Sequence, residues 1–286
     1  MTKGYLILAQ NSEDQDYVRL AYVLAMSIKV TQSEITSVSL VTDVLEAVPD
    51  HYKSVFDHVI EIPWYDDALD SKWKIENRWK LYHITPYDET VILDSDMLFL
   101  TDVSDWWNYL SNHHDICFTT SVRTYRDEIV TSDYYRKTFT NNDLPNLYSA
   151  FAYFKKTDIA KEYWELVEMI TKNWQEYYQR FLTENRPKAL SMDVVFALAA
   201  KILGIKSEST SSFDYPNFVH MKPKVQNWMN SSADWTDHVG IYLNDNGNLK
   251  IGNYQQHGIF HYTEKKFMLD YILYTFEDLY RKKYNG

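Results

Sequence analysis

Cysteine is all but missing: Cys117 stands alone among 286 residues, which rules out an internal disulfide. With no apolar leader at the start of the chain, the expected setting is reducing and cytoplasmic. Glycine and proline number seven each, and no stretch rich in Pro, Gly or Ser divides the chain, so a single domain over residues 1–286 is expected. No run approaches the ~18 consecutive apolar residues of a membrane span. Positive charge is scarce, with 29 Lys and Arg against 40 Asp and Glu and a formal net charge of -11. That balance excludes a broad electrostatic footprint for nucleic acid or an anionic membrane, though not a local basic groove. Aromatic residues are abundant instead, at 16% with 24 Tyr and 9 Trp. Their flat faces suit sugars and nucleobases as well as a core.

Short apolar runs alternate with helical periods along the first half. Residues 4–9, 38–42 and 59–62 read as buried strands, residues 17–29 as a helix apolar nearly all round, and residues 52–58 as a short helix. Residues 72–87 read as a helix stopped near Pro86, 102–110 as helical and 115–119 as a strand. Farther on, 148–154 has strand alternation, 158–181 reads as one long amphipathic helix, 191–203 as another, 258–262 as a late strand and 267–283 as a terminal helix. Residues 206–256 read as irregular. The polar segment 123–145 is either a flap over a site or an acceptor-binding insertion. This alternation implies an α/β fold with a mostly parallel central sheet flanked by helices, its ligands bound at the carboxyl ends of the strands. Asn11 and Asp94 belong at that edge.

The stretch Thr90-Val91-Ile92-Leu93-Asp94-Ser95-Asp96-Met97-Leu98-Phe99-Leu100 is the most informative. An apolar, β-branched run is interrupted by Asp-Ser-Asp and then resumes. Carboxylates one residue apart share a face of an extended chain. Two negative charges at the edge of an apolar sheet are unfavourable unless something cationic lies between them. A hard divalent ion such as Mn²⁺ or Mg²⁺ fits, and such ions complete their shells with phosphate and water. The plainer reading is a turn after a strand, since Asp is common in turns. The cationic pair Arg78 and Lys80 just upstream favours the metal.

In this order the parts resemble the metal-dependent retaining glycosyltransferases of family 8, the glycogenin-like group with the nucleotide-sugar-binding GT-A fold. The likeness runs from near the N-terminus to about residue 266, and extends to phage-encoded proteins of this type. Four features carry it: the opening strand with Asn11 and Tyr17 ahead of an apolar helix; Arg78; Asp94-Ser95-Asp96 as the Asp-x-Asp motif; and His261 after a late apolar strand. The resemblance implies a donor-nucleotide half over 1–120 and an acceptor and sugar half with a C-terminal extension over 121–286. It implies a nucleotide-sugar donor, UDP-linked, with Asn11 and Tyr17 near the base and Arg78 and Ser95 at the donor. Asp94, Asp96 and His261 become metal ligands. Where the family continues from its histidine with glycine and Lys-Pro-Trp, this chain has Tyr262-Thr263-Glu264-Lys265-Lys266-Phe267. The diphosphate lysine is therefore Lys265 or Lys266, and His220, in His220-Met221-Lys222-Pro223, rivals His261. The family's Asn-Ser-Gly strand is represented only by Tyr148-Ser149-Ala150 with Asn146 nearby, and its Asp-Gln pair by Asp193-Val194.

The implied chemistry transfers a sugar to an acceptor hydroxyl with retention, Asp193 and Arg78 being the catalytic candidates. Asp193 faces the positive charge that builds on the sugar ring, and Arg78 and the lysine face the leaving diphosphate. A glycan, lipopolysaccharide core, protein or hydroxymethylated DNA base could accept, the last without support from net charge. Each residue has a duller role: His261 as a core histidine, Tyr17 as a helix staple, Asn11 as a cap, and Asp193 as an early-helix acid. One of the two lysines and Lys80 read as solvated, and Trp73 and Trp79 as packing. A non-catalytic carbohydrate- or nucleotide-binding module and a metal-dependent phosphohydrolase or nucleotidyltransferase are the competing functions.

Overall fold

The computed structural model describes residues 1–71, 73–130, 136–211, 213–223 and 234–284. The first apolar run forms β1 (Lys3–Leu8), followed by α1 (Tyr17–Thr31), β2 (Val38–Thr42), the single turn α2 (Asp50–Lys53) and β3 (His58–Glu61). A 3-10 turn (Arg78–Lys80) leads through α3 (Leu81–Ile84) into β4 (Glu89–Leu93) and β5 (Met97–Phe99). Then come α4 (Asp105–His113), β6 (Ile116–Thr119), β7 (Ser121–Arg123), α5 (Lys137–Asn141) and β8 (Tyr148–Lys155). The remainder holds α6 (Asp158–Lys172), α7 (Trp174–Phe181), α8 (Met192–Ile202), β9 (Asn217–His220), β10 (Ile241–Leu243), β11 (Leu249–Ile251), β12 (Tyr254–Gln255), β13 (Ile259–His261) and α9 (Asp270–Tyr284).

The central sheet has the order β3-β2-β1-β4-β8-β6. Its first four strands are mutually parallel, and β8 runs antiparallel to both β4 and β6. The α/β, parallel-rich architecture expected from the alternation is present. Side chains alternate between two buried faces, as a sheet covered by helices on both sides requires. Tyr5, Ile7, Val91 and Leu93 enter the core shared with α1 and α9, while Leu6, Ile92, Ala152 and Phe154 enter the core shared with α6 and α8. Helix α1 is buried continuously from Leu20 to Ile28 because the sheet, β5 and α9 enclose it. Asp16 caps it by accepting the Arg19 N–H at 2.9 Å.

At the end of β4 the chain leaves the central sheet. Residues 94–96 carry it across, and β5 opens a second, four-stranded sheet ordered β5-β13-β9-β7. Strand β13 lies antiparallel to β5 with His261 opposite Met97, and parallel to β9 with His261 opposite His220. Ser27 in α1 fixes the crossing strand by accepting the Phe99 N–H at 3.0 Å. A third, small sheet, β10-β11-β12, packs beside it.

Several expectations need correction. Of the helix expected over 72–87, residue 72 falls outside the described residues, and over 73–87 only the 3-10 turn and α3 are helical, with Asn77 and Asp66 binding backbone and side chains instead. Such local side-chain bonds compete with helix formation. The long helix over 158–181 breaks at Asn173, whose φ of -127° is non-helical and whose amide donates to the Met169 carbonyl at 3.0 Å. Residues 206–256 are not uniformly irregular, since they supply β9 to β12 in pieces of two to four residues, too short to show a period. In the 123–145 segment, residues 131–135 fall outside the described residues. The rest is anchored through β7, α5 and Arg136, which donates to the Leu147 carbonyl at 2.7 Å.

Gly4 in β1 lies directly under the ring of Tyr87, where a Cβ would overlap the ring atoms. Tyr87 cannot swing aside freely, because its hydroxyl is bonded to buried Ser39 at 2.6 Å. Gly4→Ala is expected to destabilise the fold by about 1–3 kcal/mol through overpacking, seen as a melting point several degrees lower. An unchanged melt would show that the strand edge yields at no cost.

Candidate metal centre

The crossing between the sheets brings three chain segments to one point. Asp94 and Asp96 flank the turn between β4 and β5. Their backbone is pinned from both sides: the Asp94 N–H donates to the Ala150 carbonyl at 3.2 Å, and the Asp96 carbonyl accepts the Tyr262 N–H at 3.1 Å. The second bond sets β13 so that His261 turns toward the acids. His261 Nε2 lies 3.3 Å from Asp96 Oδ1 and 3.8 Å from Asp94 Oδ2. One ligand atom from each of the three lies within 4.8 Å of the others, the one such cluster among the described residues. Neighbouring ligands of an ion bound at about 2.1 Å sit ~3 Å apart, so a small inward movement suffices. Two carboxylates and one imidazole form a donor set suited to Mn²⁺ or Mg²⁺. The residues fit a hard divalent ion.

Cations close the cluster on two sides. Arg78 is ion-paired with Asp94 and also donates to the Ser149 hydroxyl at 3.2 Å. Lys265 is ion-paired with Asp96, and its ammonium stands 5.4 Å from the centre of the Tyr17 ring. Burial by itself raises the Asp96 carboxyl, but His261 and Lys265 beside it overcome that and hold it well below the usual carboxylate range. Burial likewise works against the Lys265 ammonium, and Asp96 outweighs it, so the lysine pKa is raised. Burial raises the half-buried Tyr17 hydroxyl, which stays neutral at pH 7.

The structure places the rival residues differently. His220 is not among the three: it stands behind His261, with the two Nδ1 atoms 3.1 Å apart. Burial, together with Lys222, His261 and Arg136, pushes the His220 pKa well down, so the ring is neutral. Lys266 turns outward, 67% exposed at its side chain, and pairs with Asp234 at 2.7 Å. Lys265 is thus the lysine brought to the acids. Ser95 is buried in the turn itself. Asn11 is exposed, and its side chain accepts the Val18 N–H at 3.0 Å, the capping role. Lys80, expected to be solvated, is instead buried against Asp67 at 3.1 Å and the Tyr65 carbonyl. Trp79 is buried and stacks on Trp64 at 5.3 Å, whereas Trp73 is exposed.

Asp193 sits in the first turn of α8 and reaches back to the sheet edge. Its Oδ1 accepts the Ser149 N–H and its Oδ2 accepts from Arg136, both at 2.8 Å. Burial raises this carboxyl, while Arg136, Ser149 and Lys222 lower it by more, leaving it ionised. Ser149 links it to Arg78 and so to Asp94. Two contributors escaped the sequence reading. Arg136 lies in a segment without a period. Gln10, whose polar side chain ends the apolar β1, accepts from Asn77 at 2.7 Å and donates to Asp66 at 3.1 Å, tying the strand end to the segment that carries Arg78.

By sequence the chain matches no family model and no curated protein. By structure it is similar to mouse xyloside xylosyltransferase 1 in its apo form, with a TM-score of 0.51, 13% identity, and coverage of 91% of this chain and 97% of that one. It is similar to the galactosyltransferase LgtC in complex with donor and acceptor sugar analogues, with a TM-score of 0.53, 11% identity, and coverage of 96% and 95%. It is also similar to the glycosyltransferase GlyE of Streptococcus pneumoniae, with a TM-score of 0.50 and 11% identity, spanning 98% of this chain but only 63% of GlyE. At such identities the likeness establishes the fold, which is the GT-A type shared by these glycosyltransferases. Among the described residues no helix is long and apolar enough to cross a membrane.

The Asp193–Arg136 pair yields a pH signature. A carboxyl depressed in the folded state adds stability above its unfolded pKa of about 3.9, and that stability is lost as pH falls through the lower folded value. Asp193→Asn is expected to remove about 3 kcal/mol at pH 7, because it takes away the carboxylate that faces Arg136 at 2.8 Å in a largely buried site. The gap between variant and wild-type melts should narrow below pH 4. A gap that is constant from pH 7 to pH 3 would show that the ion pair contributes nothing.

Proposed function

We propose that the protein is a divalent-metal-dependent glycosyltransferase that moves a sugar from a nucleotide donor, UDP-linked, to an acceptor hydroxyl with retention at the anomeric carbon. The observation that carries this reading is the Asp94–Asp96–His261 triangle, flanked by Arg78 and Lys265, at the carboxyl edge of a GT-A sheet. The metal triangle and its position also match the family 8 resemblance in the sequence.

Charge bookkeeping supports a diphosphate ligand. Leaving His261 aside, the two carboxylates and two cations sum to zero. A divalent ion bound there would supply Lewis-acid stabilisation, its two positive charges balancing the two negative charges of the sugar-linked diphosphate before the bond to the sugar breaks and adds a third. Arg78 and Lys265, which neutralise the carboxylates in the free protein, then become available to meet phosphate oxygens where charge develops. Tyr17, beside Lys265, offers its ring to the base or ribose. Asp193, held ionised, places fixed negative charge on the acceptor side, where a positive sugar ring develops. A glycan or protein hydroxyl is the acceptor class that the acidic surface permits, and the metal is Mn²⁺ or Mg²⁺.

Melting in the presence of UDP or UDP-sugars with Mn²⁺, against the same nucleotides with chelator, tests the site. A nucleotide at about a hundred times its dissociation constant adds ~2.7 kcal/mol. The shift should need the metal and vanish in Asp96→Ala. A nucleotide shift that ignores both would sink the donor-site reading. Sugar release from the donor, rather than phosphate release, separates a glycosyltransferase from a phosphohydrolase, and binding without any turnover would identify a non-catalytic module.

The two lysines provide an internal control. Lys265→Ala should weaken nucleotide binding at least tenfold while Lys266→Ala leaves it within twofold, read by titration calorimetry with Mn²⁺ present. Equal losses would remove Lys265 from the donor site.

A further inference from the structure

On the side of His261 away from the acids lies the second buried histidine. Strands β9 and β13 place His220 in register with His261, and both rings are 4% exposed. The contact runs from Nδ1 to Nδ1 at 3.1 Å. A nitrogen-to-nitrogen contact is a hydrogen bond only when one atom carries the proton and the other a lone pair. Two arrangements satisfy it while His220 is neutral or His261 is. In the first, His220 donates, so Nδ1 of His261 is bare and its proton sits on Nε2, pointing at Asp96. That tautomer bonds a carboxylate and cannot coordinate an ion. In the second, His261 donates from Nδ1, which leaves Nε2, 3.3 Å from Asp96, as the atom able to give its lone pair to an ion held between the acids.

We propose that His220 is a positioning residue: its Nδ1 accepts the His261 Nδ1 proton and so fixes the tautomer that makes His261 a metal ligand. This rests on the metal-site reading above. Outer partners of ligating histidines generally set the tautomer and orient the ring. Here the partner is a neutral imidazole, which adds no third negative charge behind the two carboxylates. The surrounding rings hold the acceptor in place. Tyr148 and Phe218 meet His220 edge-on, with centroids 6.0 and 5.6 Å away, and Phe218 also packs on His261 at 5.5 Å. A rotation that broke the Nδ1 contact would have to displace this aromatic wall.

The experiment compares wild type, His220→Leu and His220→Asn. Leucine fills similar volume without an acceptor, and asparagine keeps an oxygen near the place of Nδ1. Mn²⁺ affinity is measured without nucleotide by electron paramagnetic resonance, and the metal-free melts show whether each variant is folded. The leucine variant should bind Mn²⁺ about 10–100-fold more weakly, with the asparagine variant recovering most of that loss. Long-range proton–nitrogen spectra of the metal-free wild type should show His220 protonated on Nε2 and bare at Nδ1. These spectra carry the test even where the leucine variant fails to fold. A folded leucine variant with wild-type affinity, or a proton found on His220 Nδ1, would overturn the proposal and leave the metal site standing. A wild type that binds no Mn²⁺ at all would overturn the metal site first.

Discussion

Two carboxylates held in one buried turn set the terms for everything around them. At 4 Å in surroundings of effective dielectric about 20, each unlike pair of charges is worth ~4 kcal/mol and each like pair is unfavourable by as much. The turn therefore persists only with compensating partners, and the fold supplies three of them from two distant places in the sequence. Arg78 comes from the 3-10 turn before β4, His261 from the end of β13, and Lys265 from just beyond it. Leaving either acid unpaired would be strongly destabilising, whereas the assembled set is near neutral. The two-sheet crossing makes this possible, because β13 can pair with β5 only by passing immediately beside Asp96.

The polar groups continue as a connected line through otherwise apolar cores. Asp193 binds Ser149, Ser149 binds Arg78, and Arg78 binds Asp94. From the other direction, Gln10 at the end of β1 ties Asn77 and Asp66 into the segment that delivers Arg78. Helix α8 and the segment just after strand β1 thus both bear on one guanidinium. Removing a member of such a line disturbs its neighbours' partners, so single substitutions along it will couple rather than add.

Much of this was legible in the residue pattern, for physical reasons. Strands β1, β2, β4 and β8 are buried on both faces and so read as unbroken apolar runs, and the acids stood out because they interrupt one. His261 followed a late apolar strand and could be placed at the same edge. What escaped depended on tertiary choices between near-equal local options. Residues 72–87 have helical composition, but Asn77 and Asp66 found a partner in Gln10, just beyond β1, that a lone helix cannot offer. Lys80 reads as a surface residue until Asp67 and the Tyr65 carbonyl close over it. Lys265 and Lys266 are neighbours of identical chemistry, and only the 3-10 turn at Lys265–Phe267 decides which faces inward. His220 looked like a competing ligand because sequence shows two histidines after strands and cannot show that one stands behind the other.

The division of labour between rigid and pliable backbone follows from the same geometry. The three candidate ligands adjoin strand ends, Asp94 just after β4, Asp96 just before β5 and His261 closing β13, and backbone bonds to Ala150 and Tyr262 fix the two acids. The two cations sit instead on 3-10 turns, short elements with poorer hydrogen-bond geometry that adjust at small cost. A site of this kind needs both properties. Under the proposed function, metal ligands hold a fixed triangle, whereas cations that neutralise carboxylates in the free protein exchange them for phosphate when donor arrives. Had Arg78 or Lys265 been built into a strand, the closed ion-paired arrangement would resist that exchange. Had Asp94, Asp96 or His261 been placed far from any strand, the triangle would lose the definition that selects a small divalent ion over the lysine already beside it.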